Sequence, residues 1–233
     1  MICVRRRKFG IPYHIHWFDP APQFHVWPLT IFYQSPGKES RAGLVRQAFH
    51  TLHSDLSVGA DGYLAAMNSS TRNQVHQMIR QGLMGTKVGV PEFTEFHNLF
   101  AADKAIAGTS VKKLKSLGES VWLTAAIWQN RALAMHATVV DPETGRARSL
   151  LSASARFEEP EERKLIGKAN RWLHWWDMCQ LHEAGIGLYD WGGVAKNSVD
   201  PDKQGINQFK EGFGGFPVEE SHYYPVFLKS WGD

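Results

Sequence analysis

From Val121 onward, β-rich runs and helical periods alternate in an order that few folds accept. Val121–Trp128 and Ala132–Val140 are β-rich and separated by Gln129-Asn130-Arg131, the pattern of a hairpin. Asp141-Pro142-Glu143-Thr144-Gly145 is a turn in which proline presets one φ and glycine accepts a positive one. A third run, Arg148–Ser154, completes a meander. The spacing then predicts a long helix from about Pro160 to Ala184, ended by Gly185. Leu165, Ala169, Trp172, Leu173 and Trp176 form its apolar stripe. A short buried strand at Ile186–Tyr189, a Gly192-Gly193 break, a helix at Lys203–Phe213 and a strand at Tyr223–Leu228 follow. This order predicts an α/β (α+β) fold.

The first half is less regular. Prolines at 12, 20, 22, 28 and 36 forbid a long helix in residues 1–40 and leave extended segments joined by turns. Residues 41–56 are compatible with a short helix closed near Gly59. Ser69 or Ser70 caps a helix to about Gln81, closed by Gly82, with Met67, Val75, Met78 and Ile79 as its apolar face. A strand is expected at Thr86–Val90. Pro91 starts the next helix, whose buried side is Phe93, Phe96, Leu99 and Phe100. No repeat or linker divides the 233 residues, so one domain is expected, with a Pro- and aromatic-rich part at 1–60 and a core at 120–228.

Hydrophobic residues are 43% and charged residues 21%, the balance of a globular chain and not of a disordered or fibrous one. No apolar run is long enough to span a membrane, and no apolar signal segment follows Arg5-Arg6-Arg7-Lys8, so a cytoplasmic protein is expected. Cys3 and Cys179 are too few for a disulfide framework. The net charge of +3 permits an anionic substrate. Nine tryptophans point to a wide aromatic core or groove.

Three segments carry a resemblance. They are Ala169-Asn170-Arg171-Trp172-Leu173-His174-Trp175, then Gly187-Leu188-Tyr189-Asp190-Trp191-Gly192-Gly193, then the run from Gly205 to Gly215 that contains Phe209-Lys210. In that order they resemble the carboxy-terminal signature of Fem-type peptidoglycan aminoacyltransferases, in which a long helix leads to a YDFGG-like strand end and a GIxxFKxGFGG-like helix. Ser70-Thr71-Arg72-Asn73, with Gly82 and Val88 after it, is similar to the start of the same fold. The resemblance implies a GNAT-superfamily acyltransferase fold, with a central mixed, mostly antiparallel sheet flanked by helices, and acyl transfer to an amine. Fem enzymes carry two such domains in tandem, whereas this chain has room for one and looks like the short, single-domain relatives. The setting it implies is surface-polysaccharide or peptidoglycan-precursor modification. The implied donor is acyl-coenzyme A (acyl-CoA), an acyl-carrier thioester or aminoacyl-tRNA, and the acceptor an amine-bearing small molecule, sugar or peptide. Neither DNA nor a tightly bound cofactor is implied.

Amine acylation needs the reactants held together, a proton sink and a stabilised oxyanion. The resemblance makes Lys210 the group that steadies the donor carbonyl, with Phe209 as a positioning wall. Tyr189 and Asp190 end a strand facing a cleft. There Asp190 orients the acceptor amine or takes its proton, or else caps the Gly192–Gly193 loop. Gly192 and Gly193 allow close backbone approach to a ligand. Asn170, Arg171 and His174 cluster on the long helix as substrate contacts or as packing. Arg72, His76 and Arg80 share a helix side that suits an anionic acceptor, phosphate or tRNA, or simply water.

Lys164-Leu165-Ile166-Gly167-Lys168-Ala169 is a relaxed form of the GNAT pyrophosphate loop. Either Lys164, Gly167 and Lys168 bind the donor's phosphates, or they form a lysine-flanked helix with a packing glycine. His14 with His16, and His50 with His53, are pairs that suit zinc, but no cysteine or carboxylate spacing completes a site, and no metal is expected. The alternative to an enzyme is a binding module for RNA or a partner, with the aromatics as a stacking surface.

Overall fold

The computed structural model describes residues 1–156 and 160–231. The strands are β1 (Ile2–Lys8), β2 (Ile11–Trp17), β3 (Leu29–Ser35), β4 (Leu44–Asp55), β5 (Met84–Lys87), β6 (Val121–Trp128), β7 (Arg131–Asp141), β8 (Arg146–Ser154), β9 (Leu188–Gly193) and β10 (Phe216–Pro225). The α-helices are α1 (Gly59–Ala66), α2 (Ser69–Arg80), α3 (Val90–Asp103), α4 (Val111–Lys115), α5 (Pro160–Glu183) and α6 (Pro201–Glu211). All ten strands join one sheet in the order β1-β2-β3-β10-β4-β9-β8-β7-β6-β5. Pairing is antiparallel except at β2–β3 and β8–β9, giving the mixed, mostly antiparallel sheet that the resemblance implies.

Local chemistry explains the clearest elements. Gln129 and Asn130 both take positive φ (49° and 62°), the geometry of a two-residue hairpin turn that matches strand twist. Gly145, at φ 62°, closes the next turn. Helix α2 is capped by Asn68, whose side chain accepts from the Thr71 amide at 2.8 Å, one position before the expected serines. Asp200 caps α6 in the same way, with Pro201 in its first turn.

Strand β7 divides the core between the two faces. Ala134 and Val140 pack under α2 and α5 with Met78, Trp172 and Leu173. Met135, Ala137 and Val139 point the other way, toward Phe93 and Leu114 or toward Ile15 and Ile31. Complete burial of a side chain such as Leu173 contributes on the order of 2 kcal/mol.

Four expectations need correction. Residues 41–56 form no helix. Their Arg, Gln and Ala content suits a helix, but ten consecutive residues pair with β10 and the end of the run pairs with β9, so tertiary pairing overrides propensity. The buried face of α3 is Phe93, Thr94, His97 and Ala101, while Leu99 is 69% exposed. Strand β9 runs through Asp190 to Gly193 and does not break at the glycines. The last strand begins at Phe216, and the chain from Val226 turns into a 3-10 helix.

Candidate functional site

Strands β8 and β9 pair over only three positions, Arg146↔Leu188, Ala147↔Tyr189 and Arg148↔Asp190. Beyond them β8 continues beside β7 to Ala134↔Ser154, while β9 stays with β4 as far as Thr51↔Gly193. The parallel pair therefore splays, and the signature segments gather around the opening. At the end of β9 the Lys210 ammonium, from the last turn of α6, donates to the Gly193 carbonyl at 2.6 Å. Burial brings Lys210 down from its ordinary 10.5 to about 8; the Arg148 charge adds to this and Asp190 opposes it.

Alternation along the strand sends Tyr189 and Asp190 to opposite faces of the sheet. Tyr189 lies on the α5 face, where its hydroxyl meets His174 Nδ1 at 3.1 Å. Burial holds His174 well below the ordinary imidazole value, with the His136 charge next in effect, so its ring is neutral. Its ring packs on Trp191, Phe209 and Phe213, with centroids 4.9, 5.6 and 5.6 Å away. Beside it His136 sits between Asp177 Oδ2 and Asn170 Oδ1, both at 2.7 Å, and Ser152 also reaches Asn170. The Arg171 guanidinium covers the Phe209 ring at 4.8 Å and donates to the Gly167 carbonyl at 3.1 Å.

Asp190 lies on the other face and is 0% exposed. It accepts from Thr51 Oγ1 at 2.5 Å, Gln34 Nε2 at 2.5 Å, the Gly192 amide at 2.7 Å and the Arg146 guanidinium. Arg146 also holds Glu220 through two nitrogens, at 2.7 and 2.8 Å, and His53 Nε2 lies 3.5 Å from Asp190. Burial raises the Asp190 carboxyl, but the His53 hydrogen bond and the Arg146 and Arg148 charges pull it further down, below the usual carboxylate range. A carboxylate so placed is a weak base enclosed by protein, and its position corrects the expectation that Asp190 contacts the acceptor alongside Tyr189. Its structural work is to neutralise Arg146 and hold the Gly192 amide within β9.

Where β9 leaves β8, a cavity of about 420 Å³ opens on the Asp190 face. Its walls include Trp17, Tyr33, Phe49, Arg148, His222 and Tyr224. Trp17 is the one tryptophan of this lining; Trp122, Trp128, Trp172, Trp175, Trp176 and Trp191 belong to or pack against the core on the α5 face. His222 is drawn down to about 4 by burial and by Arg148, and it accepts from the Gln34 amide at 3.0 Å.

The structure thus brings Tyr189, His174, Asn170, Arg171 and Phe209 into one packed cluster, with Lys210, Gly192 and Gly193 at the strand end beside it. Arg72 stands in the first turn of α2, whose cap residue Asn68 donates its amide to the Gly212 carbonyl. Lys164, Gly167 and Lys168 lie inside α5, past its first turn, so their backbone amides belong to the helix and form no phosphate loop. Trp17, Trp172 and Trp191 are buried, whereas Phe9 and Trp27 are exposed.

The sequence reading missed Arg146, Arg148, Gln34, Thr51 and Glu220, which meet through pairing across the sheet; Arg146-x-Arg148 in a strand is the one local signal. It also missed a cysteine partner for the first histidine pair. The Cys3↔His16 pairing of β1 and β2 brings donor atoms of Cys3, His14 and His16 within 4.8 Å of one another, a set that suits zinc. His136, His174 and Asp177 form a second such group. In a third, His53, Asp190 and Glu220, the Arg146 guanidinium occupies the place of a cation.

No family profile matches the sequence, and no curated protein matches it. Solved structures match in fold. FemX superposes with a TM-score of 0.64 at 12% identity, over 78% of this chain and 63% of FemX. The C-terminal domain of a putative lysylphosphatidylglycerol synthetase from Agrobacterium fabrum gives 0.57 at 15% identity, over 84% of this chain and 68% of that one. L-PGS from Bacillus licheniformis gives 0.55 at 11% identity, over 84% and 67%. The chain spans just under two thirds of FemX's own length. At these identities the likeness is one of fold: the chain has a Fem-like fold.

Proposed function

We propose that the protein is an N-acyltransferase that moves an acyl or aminoacyl group from an activated thioester or ester to an amine, with the chemistry at the splay of β8 and β9. The observation that carries this reading is Lys210, a half-buried ammonium fixed to the last carbonyl of β9. The amine attacks the donor carbonyl directly. A C–N bond forms, the C–S or C–O bond breaks, and the proton lost by the amine ends on the departing thiol or hydroxyl. Lys210, as an ammonium beside aromatic walls, stabilises the oxyanion of the tetrahedral intermediate. No covalent enzyme intermediate is involved.

The Fem-like fold and the name of the lysylphosphatidylglycerol synthetase support an aminoacyl or acyl donor and a setting in envelope-precursor modification. Among the described residues no helix is long and apolar enough to cross a membrane. Thermal-shift measurements with coenzyme A, an acyl-carrier thioester and charged tRNA identify the donor by a concentration-dependent rise in Tm. A flat response to all three, with Lys210→Ala matching the unaltered protein in any turnover found, would overturn the reading.

A further inference from the structure

We propose that the cavity beside Arg148 is the acceptor pocket, and that it takes a small amine bearing a carboxylate, an amino acid or dipeptide with an apolar or aromatic side chain. This rests on the acyl-transfer reading and adds the acceptor's chemistry to it.

Arg146 and Arg148 stand two residues apart on the same face of β8 and meet opposite fates. Arg146 is saturated by Asp190 and Glu220. Arg148 pairs with no carboxylate among the described residues; its guanidinium lies 5.0 Å from the Trp17 ring and 5.8 Å from Phe49. Three lining residues each carry a buried polar atom with no hydrogen-bond partner: Arg148 Nε, Arg6 Nε and Thr109 Oγ1. The described lining holds Arg6, Lys113 and Arg148 and neither Asp nor Glu. Asp190 and Glu220 act on the half-buried Arg148 guanidinium at longer range without an ion pair, and its planar fork matches a carboxylate through two parallel hydrogen bonds. Trp17, Phe49 and Tyr224 supply an apolar wall for the rest of the molecule.

The pocket also reaches the chemistry. The ring of Phe49 lies against Gly193, where an added Cβ would sit 3.3 Å from Phe49 Cε2, and the Gly193 carbonyl holds Lys210. An acceptor anchored by its carboxylate on Arg148 therefore presents its neighbouring amine toward the Lys210 end of the opening.

Titration calorimetry of the full chain with phenylalanine, phenylalaninamide and phenyl phosphate tests this. Phenylalanine is expected to bind at least about tenfold more tightly than its amide, which lacks the charge-assisted contacts. Arg148→Gln is expected to reduce phenylalanine to the level of the amide. Should that variant not fold, the acid-to-amide comparison on the unaltered protein decides alone. Equal binding of acid and amide, binding of neither, or tighter binding of phenyl phosphate overturns the pocket assignment. If donors raise Tm while acid and amide bind alike, the pocket alone is wrong. If phenylalanine binds through Arg148 and no donor does, acyl transfer is wrong and the pocket stands.

Discussion

Thr51 and Asp190 stand 139 residues apart in the chain and share a hydrogen bond of 2.5 Å. The bond ties the middle of β4 to the point where β9 leaves β8, and it belongs to the network that encloses Arg146. Replacing Asp190 by Ala leaves that buried guanidinium with Glu220 as its one remaining carboxylate and strips Thr51 and Gln34 of their acceptor, and a loss of about 3–5 kcal/mol in urea unfolding is expected. The carboxyl is held below its ordinary value of 3.8, so its contribution is complete above that value and is lost as the pH falls below it. Acid unfolding of the variant should therefore depend less steeply on pH than that of the unaltered protein.

Lys210 supplies a pH signature. If the ammonium stabilises the oxyanion, turnover falls as the pH rises through about 8. Lys210→Arg keeps its charge and should move that descending limb to higher pH, while Lys210→Met removes the limb and most of the rate. Rate profiles of the three proteins with one donor and one acceptor check this. The stability effect has the opposite sign: a lysine lowered from 10.5 to about 8 costs stability while charged, so stability rises with pH between those values.

Gly167 separates a phosphate loop from a helix. It lies within α5, and a Cβ there would meet only Arg171, at 3.7 Å, an ordinary contact. Gly167→Ala should stabilise the protein by about 1 kcal/mol and leave donor affinity within about twofold. A large fall in affinity for coenzyme A, measured by calorimetry, would return these residues to the donor site.

Two other glycines should behave oppositely to each other. Gly215 sits at φ 98°, and an added Cβ would lie 2.6 Å from the His53 carbonyl oxygen. Gly215→Ala should destabilise by about 2 kcal/mol or more through strain and backbone collision. Gly205, within α6, has nothing within 4 Å, and Gly205→Ala should stabilise by about 1 kcal/mol. Thermal unfolding of both variants makes the comparison.

The second half of the fold was legible because its signals are local. The positive φ at Gln129 and Asn130, the turn at Gly145 and the apolar stripe of α5 are each fixed by neighbours in sequence. The helix expected at 41–56 failed for the converse reason. Leu44–Asp55 has no strong local preference, and its conformation is set by β10 and β9, which lie far along the chain. The same holds within the site. Phe209, Lys210 and the glycines could be singled out by their motif, whereas the enclosure of Asp190 could not, because its partners Gln34, Thr51 and Arg146 come from three other strands.

By itself the sequence determined the order of elements in the second half, the long helix and the signature around Lys210, since periodicity, turn chemistry and motif spacing act over a few residues. Only the tertiary structure decided which charged groups are spent and which remain open. Strand pairing gave Asp190 and Glu220 to Arg146 and left Arg148 facing a cavity, and charge neutralisation in a buried site depends on distances that no local pattern encodes.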